Sequence, residues 1–294
     1  MTATAFLGLG AIGRPMARRL AAAFPQTIVW NRTPTVAQAF GREHGIRVAA
    51  TAADAAREAD IVITCLPTSQ DVEAVLDAGL DEALRPGTVL LDCTSGDPAT
   101  SRRIAARLAA RDIAFMDAPV SGGTIGAENG TLTIMCGGSE TVLDRVRPVL
   151  ESFGSKIVHC GDIGAGHALK SVNNALLALH VLSTAEGLVA LSRAGVRADV
   201  ALDVINASSG RSNASMNLFP ERVITRAFPR TFRLALLDKD TRIAAGVARD
   251  ERVFAPLLQL ASELMTLARN ELGEEADHVE AVKMIERWAN VEIR

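Results

Sequence analysis

The chain has no tyrosine, and aromatic residues make up only 4% of its 294 positions. The Tyr of a Tyr-x-x-x-Lys pair is thereby excluded as a catalytic acid. Cysteine is scarce: Cys65, Cys93, Cys136 and Cys160 are widely and irregularly spaced, with no CxxC pair. Neither a structural zinc nor a thioredoxin-like redox site is indicated, and reduced, partly buried thiols in a cytoplasmic protein are expected. The five histidines, His44, His159, His167, His180 and His278, form no ligand cluster, so no metal is expected. An excess of positive charge is also lacking: the formal net charge is −3, which gives no reason to expect nucleic acid or an anionic membrane as partner. No basic segment leads into a long apolar run near the start, so no secretory leader is expected. Nor is there an uninterrupted apolar stretch of membrane-spanning length.

What is present is a chain long enough for two domains, 48% hydrophobic and 22% charged. Its first half alternates strand and helix patterns. Strands are expected at 3–9, 27–30, 47–49, 60–65, 88–92, 114–117, 131–136 and 156–160. Helices are expected at 12–24, 33–41, 52–58, 70–84, 98–111 and 140–153. Thr33 is a candidate cap and Pro34 a first-turn residue. Such alternation predicts an α/β, Rossmann-type doubly wound domain over residues 1–163, with ligands beyond the carboxyl ends of its strands. After Gly166 the alternation stops. Residues 164–294 read as an all-α domain, opened by a long interdomain helix over about 167–194. The Ala, Leu and Val on several faces of that helix suggest burial almost all round. Further helices are expected at 200–206, 232–248, 253–271 and 279–290. The active cleft is expected where the two domains meet.

The first strand runs into Gly8, Leu9, Gly10, Ala11, Ile12 and Gly13 and then into a helix. A lone GxGxxG is weak. In this strand–turn–helix context it is the cradle of a dinucleotide pyrophosphate. At the end of the second strand, where NAD-binding folds place an acid about 20 residues on, stand Asn31, Arg32 and Thr33. Asparagine removes the repulsion of a 2′-phosphate, and an arginine can stack on adenine and pair with phosphate. NADP is therefore favoured over NAD, although Arg32 also reads as an ordinary surface arginine. Ser121, Gly122 and Gly123 offer unobstructed backbone donors that suit a carboxylate, or else form a flexible connector. Lys170 lies among Ala, Leu and Gly, with Asn174 four residues on and so on the same helix face. Facing a cleft, Lys170 could give and take the proton of an alcohol; exposed, it would be a helix-end lysine. Lys239-Asp240 reads either as a surface pair or as a contact to a cofactor. Arg211, in the polar 208–213 loop, could address an acidic substituent or sit in a plain interhelical loop.

Four ordered segments together resemble the β-hydroxyacid dehydrogenase family, which includes 3-hydroxyisobutyrate dehydrogenase and the tartronate, glyoxylate and succinic semialdehyde reductases. They are Phe6 to Arg19, Asp117 to Thr124 with Gly126 and Gly130, Gly164 to Lys170 with Asn174, and Lys239-Asp240. The resemblance covers nearly the whole chain. It implies an NAD(P)-dependent oxidoreductase interconverting a small 3-hydroxy acid and its semialdehyde or keto form. By the same resemblance Lys170 looks like the catalytic lysine, Asn174 the substrate-orienting amide, and Ser121, Gly122 and Gly123 the carboxylate-binding turn. Leu66, Pro67 and Ser95 look like nicotinamide-side or ribose-side contacts, and Lys239 like the lysine that closes over the cofactor. It also implies a homodimer or homotetramer built on the helical domain. His167 occupies a variable place in the family's pattern. A cofactor-binding protein without turnover, akin to imine reductases, is the competing class; those relatives usually replace the lysine that this chain keeps.

Overall fold

The computed structural model describes residues 2–294. The chain forms two compact units, Met1–Lys170 and Ser171–Arg294.

The first unit is built on nine strands: β1 Thr4–Leu7, β2 Ile28–Trp30, β3 Arg47–Val48, β4 Ile61–Thr64, β5 Val89–Asp92, β6 Ala114–Asp117, β7 Val120–Ser121, β8 Leu132–Gly137 and β9 Gly154–Gly161. The sheet order is β3-β2-β1-β4-β5-β6-β8-β7, with β9 paired to β8. From β3 through β6 all pairings are parallel, while β8 runs antiparallel to β6 and β7. β1, β4 and β5 are buried at every position. Helices cover both faces, so these central strands read as apolar runs rather than alternating ones. One core lies around Phe6, Met16, Leu20, Phe40, Ile63, Leu91 and Phe153. The other lies around Leu7, Val62, Leu76, Leu90 and Leu108.

Two local features depart from the sequence pattern for glycine-related reasons. The helix expected over 70–84 is broken: it runs Ser69–Val75, kinks at Ala78 and Gly79, and resumes at Asp81–Ala83. Gly79 takes φ +102°, a conformation that ends a regular helix. The Ser121–Gly123 segment is no open connector. Ser121 ends β7, and Gly122 (φ +135°) and Gly123 (φ +64°) turn the chain into a helix, Gly123–Asn129. The low helix propensity of its glycines hid that helix from the pattern.

The second unit is helical: Ala198–Asn206, a segment Ala214–Ile224 that accommodates Pro220, Leu234–Asp250, Pro256–Leu272, a short turn His278–Ala281, and Val282–Ala289 with an exposed Trp288. The long helix spans Ala165–Arg193. Its stretch from Ala178 to Val189 packs on Phe219, Leu237, Met265 and Met284 in this unit's core. It is not buried all round. Ser171, Asn174, Ala175, Ala178, Val181, Leu182, Ala185, Leu188 and Val189 form the buried stripe. Asn173, Leu176, His180, Ser183, Gly187 and Ala190 form an exposed one. Composition alone cannot tell a helix covered by its own chain from one covered on a single side. The helix also corrects the reading of apolar runs: with a mean hydropathy of 1.6 over its most apolar window, it is long and apolar enough to cross a membrane. Its core stripe and its polar exposed residues fit a core helix instead.

Candidate active site

Two of the three motif glycines are required by the protein itself. A Cβ on Gly8 would lie 2.3 Å from the Cys65 carbonyl oxygen, and one on Gly13 would lie 2.1 Å from that of Gly8. Gly10 differs: a Cβ there would meet nothing within 4 Å, and the residue is exposed. The open space over Gly10 is where a pyrophosphate can approach the backbone closely, so the turn fits the group that its sequence implies. Gly10→Ala is accordingly expected to keep the parental Tm while weakening dinucleotide binding. Gly13→Ala should lower Tm. Thermal melts paired with cofactor titrations check both, and equal melting of the two variants would refute the distinction.

The end of β2 braces this turn. The Gly8 N–H donates to Trp30 O (2.9 Å), and the Leu9 N–H donates to Asn31 Oδ1 (3.0 Å). Asn31 Nδ2 donates to Thr33 O (3.3 Å), so its carboxamide is engaged within the protein. Thr33 precedes the helix Pro34–His44 but makes no side-chain cap bond. Ile12 packs against the core. The solvent-exposed Arg32 pairs with Asp71.

At the next strand exits the Leu66 N–H donates to Thr94 Oγ1 (3.1 Å). Pro67 and Ser95 lie in the same two loops. Asp92 and Asp117 end neighbouring strands in register, and both are buried. Asp92 Oδ1 accepts from Thr64 Oγ1 (2.8 Å) and from the Thr94 N–H (3.0 Å). The carboxylate of Asp117 serves the start of the long helix, accepting from Gly164 N–H (2.6 Å) and His167 N–H (2.9 Å). These are donors that a helix start leaves without partners. Burial raises the Asp117 pKa, against the lowering effect of His167 and the two N–H donors. Gly137 and Gly166 leave room for this carboxylate: a Cβ on either would come within 3 Å of an Asp117 oxygen.

His167 is fully buried. Its Nε2 lies 2.8 Å from Thr94 O, which only accepts, so Nε2 carries a proton. Nδ1 lies 2.7 Å from Ser101 Oγ. The ring thus ties the long helix to the exit of β5 and to the helix Pro98–Ala109. Three residues on, Lys170 is 9% exposed. A lysine this buried is unusual for its type.

In the helical unit, Asn174 Nδ2 donates to Asp240 Oδ2 (2.6 Å), and Lys239 Nζ lies 3.1 Å from Asp240 Oδ1. The Lys239-Asp240 pair is therefore no surface decoration: Asp240 is 2% exposed. Arg211 is exposed, in the loop before a reciprocal pair of bonds between Ser212 and Ser215. Asp92 and Ser101 were not singled out from sequence, and Asp117 and Asp240 were named only within longer segments, without these hydrogen-bonding roles. The available signal was a carboxylate closing two apolar strands, VLLD and AFMD.

Among the described residues no group of His, Cys, Asp and Glu is arranged to hold a metal ion. The thiols are poor nucleophiles: burial pushes Cys65, also facing Asp92, and Cys136, near Cys160, up to about 12.

A doubly wound sheet with a glycine turn, and a buried lysine on the helix anchored at its strand ends, defines a dinucleotide-dependent oxidoreductase. Comparison with known proteins gives the particular kind. Residues 3–161 match the NAD binding domain of 6-phosphogluconate dehydrogenase, and residues 164–285 match the NAD-binding domain of NADP-dependent 3-hydroxyisobutyrate dehydrogenase. The chain is 36% identical to the 2-(hydroxymethyl)glutarate dehydrogenase of Eubacterium barkeri, over 98% of this chain and 96% of that one. It is also 36% identical to a 3-hydroxyisobutyrate dehydrogenase of Pseudomonas aeruginosa, over 91% and 92% respectively. The solved structure of Mycobacterium tuberculosis 3-hydroxyisobutyrate dehydrogenase with L-serine superposes with a TM-score of 0.89 at 33% identity, covering 97% of this chain and 99% of that one. The chain belongs to the β-hydroxyacid dehydrogenase family, whose members are NAD(P)-dependent oxidoreductases.

Proposed function

We propose that this protein interconverts a small 3-hydroxy acid and its semialdehyde or keto form, with Lys170 as general acid and base. The observation that carries the reading is a lysine kept 9% exposed one turn beyond a helix start fixed by Asp117 and His167. NAD(P), when bound, exchanges hydride with the hydroxyl-bearing carbon. In oxidation Lys170 takes the hydroxyl proton. In reduction its ammonium polarises the carbonyl oxygen and then supplies the proton. Asn174, four residues on, is held at its amide by Asp240 and orients the substrate oxygen. The backbone donors of Ser121, Gly122 and Gly123 take the carboxylate, at a turn where both glycines have positive φ. Arg211 is proposed to meet a further acidic substituent, Leu66, Pro67 and Ser95 to line the cofactor, and Lys239 to contact it. In this reading residues 1–163 serve the cofactor and residues 164–294 serve substrate and assembly, in the cytoplasm.

NADP(H) is proposed as the preferred form because Arg32 follows the asparagine that stands where a ribose-binding acid would be. The decisive assay is a panel of 3-hydroxyisobutyrate, glycerate, glycolate, 4-hydroxybutyrate and sulfonated analogues. Each is run with NADP and NAD, and the nicotinamide absorbance is followed. A 3-hydroxy carboxylate should turn over best. Cofactor binding without turnover on the whole panel would refute the reading.

A homodimer or homotetramer is proposed as well. The exposed stripe of the long helix, with Leu176, Gly187 and Ala190 beside Asn173, His180 and Ser183, is the face proposed for that assembly. Sedimentation velocity at micromolar protein should show a dimer or larger, and a monomer would defeat the idea.

A further inference from the structure

The site proposed for the adenosine end contains a charge that its sequence neighbourhood does not show. Arg32 Nη1 lies 3.1 Å from Asp71 Oδ1. The two residues differ in exposure. The Arg32 side chain is 78% exposed and that of Asp71 only 25%. Asp71 sits in the first turn of the helix Ser69–Val75 and is pinned there from two sides. Its Oδ2 accepts from Thr68 Oγ1 (2.8 Å), and its own N–H donates to the same hydroxyl (3.1 Å). Arg32 therefore leans on a fixed carboxylate. Asn31 cannot take that part, because its carboxamide is bound between Leu9 and Thr33.

We propose that Asp71 is a cofactor-specificity residue that restrains the preference for NADP(H). The proposal rests on the reading that the adenosine ribose lies beside Arg32. A 2′-phosphate must take the guanidinium from Asp71 and then lie close to that carboxylate, so part of the Arg32 attraction is spent on displacing an existing partner. A 2′-hydroxyl faces no such cost and can donate to the carboxylate. The acid that dinucleotide folds commonly carry at the end of the second strand is thus supplied here from the first turn of a helix, 39 positions along the chain.

The test is a double-mutant cycle of Asp71→Asn, Arg32→Ala and the double variant. Two readouts are used: the NADP/NAD ratio of kcat/KM, and the calorimetric Kd of 2′,5′-ADP against 5′-AMP, which needs no turnover. Asparagine keeps an acceptor for Thr68, so the helix start is preserved. Asp71→Asn should move both ratios toward the phosphorylated ligand by about two- to fivefold, as expected for one partly exposed charge pair. Arg32→Ala should move them the other way, and in that background Asp71→Asn should have a smaller effect, because only the direct meeting of carboxylate and ribose substituent remains. An unchanged ratio in Asp71→Asn, with Arg32→Ala still effective, would overturn the proposal and leave Asp71 as a partner of Thr68 only. If neither single variant changes either ratio, the proposal fails together with the placement of the ribose at Arg32.

Discussion

Replacing Lys170 by alanine is expected to lower kcat by two to four powers of ten, the range for removal of a general acid–base group. The Kd for NAD(P)H should stay near the parental value. The lysine follows a helix start anchored by Asp117 and by the His167 ring, and those bonds lie in the preceding turn. Removing the Lys170 side chain leaves them in place. Lys170→Arg should rescue little, because a guanidinium keeps its proton throughout the accessible range. Stopped-flow turnover with cofactor titration on the same preparations checks the pair. A Lys170→Ala protein with full kcat would remove the lysine from the chemistry, and loss of cofactor binding would make it a structural residue.

The second large effect is expected in the helical unit, at a residue without a proposed catalytic role. Asp277 is fully buried. It accepts from the Thr231 and Phe232 N–H groups (2.7 and 3.0 Å), the Thr231 hydroxyl (3.1 Å) and the Val279 N–H (3.1 Å). His278 Nδ1 lies 3.1 Å away. One carboxylate therefore closes the 231–232 segment onto the turn His278–Ala281, with Glu280 completing a reciprocal cap. Asp277→Ala leaves several buried donors without an acceptor. At about 1–3 kcal/mol for each unsatisfied group, the total is a large share of a stability of about 5–15 kcal/mol. Denaturant melts should show the helical unit destabilised by at least about 3 kcal/mol; a loss under about 1 kcal/mol would contradict the account.

The same residue gives a pH dependence with a definite sign. Burial alone would raise the Asp277 pKa, but His278 and the Phe232 and Thr231 N–H donors outweigh it and hold the carboxyl well below its ordinary 3.8. A depressed folded-state pKa means stability that is fully present above the unfolded value. That stability is lost as pH falls through the folded value. Acid titration of the parent should therefore erode stability below about pH 4. Asp277→Ala, already deprived of the carboxylate, should show a flatter curve there.

The architecture was legible in the sequence wherever a physical period was strong. Apolar runs at 61–63 and 89–91 announced buried parallel strands, and the Gly8–Gly13 spacing announced the turn from the first strand into the first helix. What escaped was carried by contacts between residues far apart in the chain. Asp117 meets Gly164 and His167 across 47 and 50 positions, and Arg32 meets Asp71 across 39. No local pattern encodes such pairings. The helix Gly123–Asn129 escaped because its glycines lower its propensity. The long helix was misjudged because its apolar residues encircle it while this chain covers one side.

The chain has two tryptophans and no tyrosine to share their emission. Trp30 ends β2, directly before Asn31 and Arg32, and Trp288 lies exposed on a helix of the other unit. Each half of the molecule thus carries one optical label of its own. With Trp288→Phe the remaining signal reports the nucleotide end alone; with Trp30→Phe it reports the helices alone. Whether the two halves melt as one body or in sequence can then be read directly, and a lesion at Asp277 can be followed by light to the half in which it acts.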